Sequence, residues 1–290
     1  ERRRRIHLVE KSARQVIVVT GASSGIGAAT AIGLARSGVW ILLVGRRAAE
    51  LEEVRTAILA TGGEASCCAA DITSASDREC VMAAALARSG RIDVLVNCAG
   101  VGQRGAIEMV PMERVRECFE VNVFAAVALI QRMSAVMRAQ RSGRILNISS
   151  VSGRIAQPFS AVYDASKHAL EALSDGLREE LAPFGVQVIV IQPGYTLSGF
   201  SATTDERDPA SGAYDAAMQA FRRRDCRRRF AVRPEHVADI VVAAVHSASP
   251  KPRYAVPRVV TFIFLLRRIC TDRIFYRLML GRIQQSAEGR

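Results

Sequence analysis

The sequence predicts an α/β protein built on a doubly wound parallel β-sheet with helices on both faces. Two observations carry this prediction. Short apolar runs rich in β-branched residues alternate with longer helical patterns along most of the chain. These runs are apolar almost throughout, as expected of strands that are covered on both faces. The 290 residues, 49% of them hydrophobic, suffice for a sizeable core.

The strand candidates and the helical patterns follow one another along the chain. Strands are predicted at residues 16–20, 39–44, 65–70, 92–96, 144–148 and 186–191, with a short strand near Tyr254. Helices are predicted at residues 25–37, 48–60, 112–141, 161–183 and 234–247. Because a helical crossover brings the chain back to the same end of the sheet, the strands that it joins are expected to be parallel.

The net charge of +12 comes almost entirely from arginine, since lysine occurs only at Lys11, Lys167 and Lys251. Basic clusters lie at residues 2–5, 222–224 and 227–229. We expect solvated surfaces there, with an anionic membrane surface as the alternative. No recognition helix or array of aromatic residues accompanies the clusters, so nucleic-acid binding is not predicted.

The seven cysteines form no CxxC pair and have no regular spacing, which favours reduced thiols in a cytoplasmic protein. The four histidines are scattered and no HExxH motif is present, so no metal site is predicted. No apolar stretch of about 7–15 residues follows the N-terminal arginines, and a secretory signal is not predicted. The chain begins at Glu1 rather than methionine, which leaves open the earlier removal of an upstream segment or anchor.

A glycine-rich turn joins the first predicted strand to the first predicted helix, in the sequence TGASSGIG at residues 20–27. Gly21 permits a tight turn, Gly25 lets the backbone approach a pyrophosphate, and Gly27 allows close packing of helix on strand. The free N–H groups and the positive dipole end at the start of the helix favour phosphate. This strand–turn–helix context predicts a dinucleotide site of the Rossmann type.

Tyr163 and Lys167 lie four residues apart in a predicted helix and therefore share one face. A free phenol titrates near pKa ~10, which is too high for easy proton exchange at neutral pH. We expect the nearby ammonium to lower the pKa of Tyr163. The phenol would then protonate a nascent alkoxide, or deprotonate an alcohol in the reverse direction.

Together these motifs resemble those of the short-chain dehydrogenase/reductase family, from about residue 15 to about residue 254. The resemblance includes the TGxxxGIG turn, the YxxxK motif at residues 163–167, the segment Asn97-Cys98-Ala99-Gly100 and the strand end Asn147-Ile148-Ser149-Ser150. Cysteine stands where the family has a second asparagine after Asn97. The resemblance implies an oxidoreductase that moves a hydride between a nicotinamide cofactor and a carbonyl or alcohol carbon.

The resemblance also implies four catalytic residues: Asn122, Ser150, Tyr163 and Lys167. In relatives the lysine also holds the nicotinamide ribose, and the asparagine supports a water that relays protons to the lysine. Ser150 lies at the family spacing before Tyr163 and would hydrogen-bond the substrate oxygen as charge develops. Ser149 is the less favoured serine, because alternate residues of a strand point to opposite sides.

Further residues are implied as cofactor contacts. Asp71 is expected at the adenine, Pro193 and Gly194 beside the nicotinamide, and Ser198 at its carboxamide. The other implied contacts lie in the glycine-rich turn, at the ends of the following strands and in the YxxxK motif: Gly21, Ser23, Ser24, Gly25, Ile26, Gly27, Arg46, Arg47, Ile72, Asn97, Ala99, Gly100, Tyr163 and Lys167.

The end of the second predicted strand bears on the choice of cofactor. An acidic residue there would bind the ribose 2′-OH of NAD, whereas an arginine accommodates the 2′-phosphate of NADP. The sequence reads Val44-Gly45-Arg46-Arg47 with no carboxylate, and Arg46 can form a charge-assisted fork with the phosphate. Ser24 lacks the basic side chain that many NADP-dependent relatives carry at this position. NADP(H) is therefore predicted, with NAD(H) as the alternative.

The pattern loosens after Pro193, and residues 195–230 are predicted to form a substrate lid. The chain then divides into a basic tail at residues 1–14, a catalytic domain at 15–257 and an amphipathic extension at 258–290. Large apolar residues of the lid and the extension predict a lipophilic carbonyl or alcohol substrate: Phe200, Tyr214, Met218, Phe221, Phe262, Phe264, Leu265 and Leu266.

In the extension, residues 259–282 alternate apolar clusters with arginines, and their longest apolar run is far below the ~20 residues of a spanning helix. We predict an amphipathic helical segment that covers the substrate entrance, meets a second subunit or lies on a membrane surface. A homodimer or homotetramer is expected. The alternatives from other functional classes are a cofactor-binding sensor or scaffold without turnover and a membrane-surface adaptor.

Overall fold

The computed structural model contains one sheet of seven parallel strands in the order β3-β2-β1-β4-β5-β6-β7. The strands are β1 (Val16–Thr20), β2 (Trp40–Gly45), β3 (Glu64–Ala69), β4 (Val94–Asn97), β5 (Gly143–Ile148), β6 (Val186–Pro193) and β7 (Arg253–Val256). The helices are α1 (Gly25–Ala35), α2 (Ala48–Ala60), α3 (Ala75–Ala87), α4 (Met112–Phe119), α5 (Ala125–Gln140), α6 (Ala161–Leu181), α7 (Asp215–Arg223), α8 (Pro234–His246), α9 (Val259–Ile269) and α10 (Asp272–Leu280). The predicted fold class is confirmed.

The structure describes residues 14–35, 39–198, 200, 213–223 and 231–280. Most of the predicted basic tail at 1–14 lies outside the described residues, as do the cluster at 227–229, Arg224, much of the lid range 195–230 and the last ten residues of the extension. The predicted helix at 25–37 ends at Ala35, and residues 36–38 are also outside this range.

Both faces of the sheet are buried because successive residues of each strand point to opposite sides. On β1, for example, Ile17 and Val19 join a core with α1, α2 and α8, whereas Val16 and Val18 join a core with α3, α5 and α6. All five residues of β1 are buried. This is the physical reason that the strand reads as a continuous apolar run.

The predicted helix at 112–141 contains a π-helical turn, Glu120–Phe124, between α4 and α5. By length and composition alone, Met112–Gln140 resembles a membrane span. Its inner side, however, carries Leu129, Met133 and Met137 into the second core. The segment is therefore a core helix of the α/β domain.

The C-terminal extension forms two helices instead of the single helical segment that the sequence predicts. Cys270 adopts an extended backbone conformation and ends α9, and α10 starts at Asp272. Arg267 donates a hydrogen bond of 2.6 Å to the Asp272 carboxylate. Its guanidinium carbon also lies 5.3 Å from the ring centre of Phe275, which is fully buried. These contacts fold α10 back towards α9.

Candidate active site

A cleft of about 700 Å³ opens at the carboxyl ends of the strands. Strands β1 and β4 are neighbours there, but the chain continues from β1 towards one edge of the sheet and from β4 towards the other. Such a switch in strand order leaves a crevice between the two loops, where open α/β sheets bind their ligands. Topology therefore places the cleft where the glycine-rich turn predicts a dinucleotide.

The glycine-rich turn has a shape that larger residues would destroy. Gly21 and Gly25 have φ values of 66° and 56°, in the left-handed region that favours glycine. A Cβ atom on Gly21 would lie 2.8 Å from the backbone nitrogen of Ala99, and one on Gly27 would overlap the carbonyl oxygen of Gly21. A Cβ on Gly25 would lie 3.2 Å from Cβ of Ser198. The turn therefore forms a backbone cradle that fits a pyrophosphate.

The two arginines after β2 occupy different places along the cleft. Arg47 donates hydrogen bonds to the hydroxyls of Ser23 (3.0 Å) and Ser24 (2.8 Å), and its guanidinium lies 3.1 Å from the carboxylate of Glu50. Arg46 lies near enough to Asp71 for its charge to lower the pKa of that carboxyl. Both side chains line the cleft, so this end of it holds two guanidinium groups.

Asp71 follows β3 and is an ionised acceptor at the same end of the cleft. Burial by itself would raise the pKa of Asp71, but hydrogen bonds from Thr73 and the charge of Arg46 outweigh it and lower the pKa. Thr73 donates both its backbone N–H (2.9 Å) and its hydroxyl (2.8 Å) to Oδ1 of Asp71. The carboxylate is thus held in one orientation.

Tyr163 and Ser150 meet on the other side of the cleft. Ser150 follows β5, and its hydroxyl donates a hydrogen bond of 3.4 Å to the Pro193 carbonyl oxygen. It also lies near enough to the Tyr163 phenol to favour the ionised phenol. The Ser150 hydroxyl oxygen accepts a hydrogen bond of 3.1 Å from the backbone N–H of Ser152. Ser149, the neighbouring serine, also lines the cleft, but its hydroxyl oxygen is buried without a hydrogen-bond partner. The choice of Ser150 over Ser149 stays a prediction.

The pKa of Tyr163 is raised to about 12, so the predicted lowering is wrong for the protein by itself. Burial of the phenol is the largest cause, and it outweighs the opposite effect of the nearby Ser150 hydroxyl. The Lys167 ammonium nitrogen is 5.8 Å from the centre of the tyrosine ring and donates a 2.9 Å hydrogen bond to the carbonyl oxygen of Ile148. Tyr163 is therefore a protonated phenol at neutral pH.

Asn122 lies in the π-helical turn and is almost fully buried. Its Oδ1 accepts a hydrogen bond of 2.8 Å from the Val101 N–H, and its Nδ2 donates to the Val101 carbonyl (3.0 Å) and the Ser166 hydroxyl (2.9 Å). A Cβ atom on Gly100 would lie 3.1 Å from Oδ1 of Asn122 and 3.6 Å from the Lys167 ammonium nitrogen. Asn122 thus supports the loop after β4 from behind the cleft, close to Lys167.

Most of the predicted site residues line this one cleft. They come from seven separate stretches of the chain: Gly21, Ser23, Ser24, Gly25, Ile26, Gly27, Arg46, Arg47, Asp71, Ile72, Ala99, Gly100, Ser150, Tyr163, Lys167, Pro193, Gly194 and Ser198. Asn97 and Asn122 are the exceptions, since both lie behind the lining.

Comparison with known proteins finds similarity to short-chain dehydrogenases over most of the chain. Residues 15–209 match the family model described as short chain dehydrogenase. The probable short-chain type dehydrogenase/reductase VdlC of Helicobacter pylori is 32% identical, over 91% of this chain and 98% of that protein. The 3-ketodihydrosphingosine reductase of Bacteroides thetaiotaomicron is 34% identical, over 67% of each chain.

Solved structures of short-chain dehydrogenases have the same fold. One from Streptomyces avermitilis superposes with a TM-score of 0.77 and 30% identity, over 93% of this chain and 97% of that one. A metagenomic short-chain oxidoreductase in complex with NADP superposes with a TM-score of 0.68 and 31% identity, over 83% of this chain and 96% of that one. An NAD⁺-bound xylitol dehydrogenase superposes with a TM-score of 0.71 and 27% identity, over 85% of this chain and 99% of that one.

The chain belongs to the short-chain dehydrogenase/reductase family. It is an oxidoreductase that acts on CH–OH donors and binds a nicotinamide cofactor. The arrangement of the cleft fits such a cofactor, with the glycine-rich cradle at the pyrophosphate position, the arginines at one end and Tyr163 at the other.

In this short-chain dehydrogenase/reductase, helix α6 is fixed to the sheet by buried polar side chains. Ser174 on α6 accepts a hydrogen bond of 2.9 Å from Asn147 on β5, and Asn147 in turn accepts one of 2.9 Å from Asn97 on β4. Glu171, also on α6, accepts hydrogen bonds from Gln192 on β6 (2.9 Å) and Arg253 on β7 (3.0 Å). Tyr163 and Lys167 belong to this helix, so these contacts fix their positions.

Asn97, an implied cofactor contact, lies behind the lining of the cleft. Asn97 is buried, its side chain points to Asn147, and it does not line the cleft. The loop after it does reach the cleft, through Cys98, Ala99 and Gly100. Asn97 is therefore a positioning residue that joins β4 to β5.

The substrate side of the cleft contains residues that the sequence analysis did not single out, among them Arg104, Gln157 and Phe159. Phe159 has a φ of 59°, in the left-handed region, and its carbonyl accepts a 3.1 Å hydrogen bond from the Gly105 N–H. Its ring centre lies 6.0 Å from that of Phe221 on α7. No local sequence signal marks this conformation, because a loop contact imposes it.

The predicted substrate wall is only partly correct. From the lid, Phe200, Met218 and Phe221 line the cleft. The four apolar residues of the extension do not: Phe262, Phe264, Leu265 and Leu266. Phe262 and Leu265 face outwards with 65% and 52% of their surface exposed, and Phe264 packs against the guanidinium of Arg154. These four residues of the extension therefore lie outside the wall of the cleft.

Substitution of Asn97 should separate a positioning role from cofactor contact. Asn97→Ala leaves the buried side-chain oxygen of Asn147 without the hydrogen bond that Asn97 donates to it. We therefore expect the free energy of unfolding to fall by about 1–3 kcal/mol. The Kd of the cofactor should change by no more than about threefold, in a fluorescence titration of the folded variant. A large loss of cofactor affinity at unchanged stability would contradict the positioning role of Asn97.

Proposed function

We propose that this enzyme interconverts a carbonyl and a secondary alcohol on a lipophilic substrate, with NADP(H) as the cofactor and Tyr163 as the general acid/base. The observation that carries the proposal is the meeting of the Ser150 hydroxyl and the buried Tyr163 phenol in one cleft. Two hydroxyls that meet in this way can together hold one substrate oxygen. The family's chemistry requires such a site beside the nicotinamide.

The raised pKa of Tyr163 suits the reductive direction. With a pKa of about 12, the phenol holds its proton at neutral pH and can donate it to an alkoxide that develops on the substrate. The Ser150 hydroxyl would donate a hydrogen bond to the same oxygen and stabilise its negative charge. The bound nicotinamide supplies or accepts the hydride.

Lys167 would hold the nicotinamide ribose and add positive charge near the phenol. An ammonium has three N–H donors, and one of them is used on the Ile148 carbonyl oxygen. Gly100 leaves room between Asn122 and the ammonium, because a Cβ there would lie 3.6 Å from the nitrogen. Asn122 would keep this space open and support the relay of protons to Lys167.

The preference for NADP(H) is supported by the charge at the end of β2. Arg46 and Arg47 both line the cleft, and no carboxylate follows β2 before Glu50. The hydrogen bonds of Arg47 to Ser23 and Ser24 hold a second guanidinium beside the glycine-rich turn. A 2′-phosphate at this place would meet two cations, whereas the 2′-OH of NAD would find no acidic partner after β2.

A lipophilic substrate is supported by the aromatic lining near Tyr163. The ring centre of Phe200 lies 5.7 Å from that of Tyr163, and Phe159, Phe221 and Met218 continue this surface. The hydroxyl of Tyr214 donates a 2.6 Å hydrogen bond to Glu108, which ties the region before α7 to the segment before α4. The relative named for 3-ketodihydrosphingosine supports a keto substrate.

Location and assembly belong to the same proposal. Six described cysteines are free thiols, which supports a reducing cytoplasmic compartment. Exposed apolar side chains on and near α4, α5 and α6 support a homodimer or homotetramer, namely Met112, Phe124 and Leu173.

Replacement of the proton donor should abolish turnover and spare cofactor binding. For Tyr163→Phe we expect kcat for ketone reduction to fall by about 10²–10⁴-fold, because general acid catalysis is lost. The Kd of NADPH should stay within about threefold of the wild-type value. Tyr254→Phe on β7 is the matched control, since that hydroxyl accepts a hydrogen bond from the Lys251 N–H and does not line the cleft. A Tyr163→Phe enzyme that kept most of its kcat would rule out the proposed donor.

Replacement of Arg46 should change the choice of cofactor. Loss of a charge-assisted contact is worth ~1.5–3 kcal/mol, so Arg46→Ala should weaken NADPH binding by about 10–150-fold and NADH binding little. Arg55→Ala on α2 is the control, because that arginine is paired with Glu52 away from the cleft. Equal weakening of both cofactors by Arg46→Ala would show that Arg46 does not read the phosphate.

A further inference from the structure

The helix pair α9–α10 presents large apolar side chains to solvent. On α9 these are Phe262, Leu265 and Ile269, which share one face because they are spaced by three and four residues. On α10 they are Ile274 and Leu278, four residues apart. Between 51% and 73% of each residue is exposed. Side chains of this kind that lie so close together usually have a partner.

The pair is an ordered part of the fold. On α9, Val260 is buried opposite the exposed face and lies near Gly194, where an added Cβ would be 3.5 Å from its methyl group. On α10, Phe275 is fully buried under Arg267. The apolar face therefore points outwards because the opposite sides of the helices are anchored.

The charges around the apolar face have one sign. Within residues 258–280 there are five arginines and a single acidic residue, Asp272. That acid is already paired with Arg267. The other four arginines are exposed, Arg258 just before α9 and three on the helices: Arg268, Arg273 and Arg277. A basic rim around exposed apolar residues complements a surface that is anionic and has an apolar interior.

A second copy of the chain is a poor occupant for this face. A two-fold interface brings the same patch of both subunits together, so arginines would meet arginines with no free carboxylate among residues 258–280 to balance them. Phosphate groups of a lipid, in contrast, accept the forked hydrogen bonds of arginine.

We propose that α9–α10 docks on an anionic phospholipid surface, with the apolar side chains inserted at the headgroup boundary and the arginines on lipid phosphates. Since α9 also packs near Gly194 and Arg154 at the cleft end of the sheet, docking brings the cleft close to the bilayer. Access of a lipophilic substrate from the bilayer is a consequence that rests on the proposed function, whereas the docking itself does not.

Vesicle co-sedimentation of the full chain tests the docking without any need for turnover. We expect binding to vesicles of phosphatidylcholine with about 30% phosphatidylglycerol, little binding to pure phosphatidylcholine, and weakening at high salt. At about 1 kcal/mol per basic residue, the triple variant Arg268→Gln/Arg273→Gln/Arg277→Gln should bind on the order of 100-fold more weakly. Equal binding of the wild type to both kinds of vesicle would overturn the proposal.

A matched control removes the same net charge elsewhere. The triple variant Arg55→Gln/Arg88→Gln/Arg132→Gln changes exposed arginines of the α/β domain that are paired with Glu52, Glu64 and Glu79. It should bind the anionic vesicles as the wild type does. A loss equal to that of the first variant would mean that overall charge alone drives binding, and the proposal would fail.

A fluorescent reporter tests where the surface lies. Trp40, the single tryptophan, is buried on β2 and gives a constant background. A tryptophan introduced by Ile269→Trp should shift its emission to the blue when anionic vesicles are added, whereas Leu59→Trp on the exposed side of α2 should not. If the emission of Ile269→Trp does not shift, docking on lipid is refuted. If mutation of Ile269 changes the oligomeric mass and leaves vesicle binding intact, the face belongs to a protein partner, and docking on lipid is likewise refuted.

Discussion

The catalytic side of the cleft depends on the hydrogen bonds of polar side chains that are buried on one face of α6. Lys167, Glu171 and Ser174 cannot reach water, and a buried polar group without a partner costs about 1–3 kcal/mol. The sheet supplies the partners, through the Ile148 carbonyl, Gln192 and Asn147. Only one register and one rotation of α6 satisfy all three contacts together, and this arrangement sets Tyr163 against Ser150.

The same burial determines the chemistry of the tyrosine. A phenol in water would ionise near its ordinary pKa, but in this cleft desolvation raises the pKa of Tyr163 to about 12 despite the nearby Ser150 hydroxyl. The protein alone therefore stores a proton at the place where a substrate oxygen would lie. At the opposite end, Arg46 and Asp71 are exposed or half-buried charges suited to the polar part of a dinucleotide. The cleft thus has a polar cofactor end and a buried proton-donating end, next to the aromatic lining.

The sequence predicts the fold well because the strong constraints are local. A strand covered on both faces must be apolar, as β1 is, and the glycine-rich turn needs residues without a side chain at Gly21 and Gly27. Long-range contacts explain the errors. The sequence around Asn97 does not indicate that its hydrogen-bond partner is Asn147, 50 positions away. The pKa of Tyr163 depends on the residues that bury the phenol. The break at Cys270 follows from the packing of Phe275, which helical periodicity does not reveal.

The central claim is that the cleft transfers a hydride directly between a nicotinamide and a carbonyl carbon while Tyr163 supplies the proton. The most direct measurement incubates the enzyme with an aromatic or long-chain ketone and NADPH that carries deuterium at the transferable position of the nicotinamide, and then locates the deuterium by mass spectrometry and NMR. The account predicts one deuterium on the carbinol carbon of the alcohol product and none on its hydroxyl group, whose proton comes from Tyr163 and exchanges with water. Alcohol formed without deuterium at that carbon, or tight binding of NADPH with no reduction of any ketone in a broad panel, would contradict it.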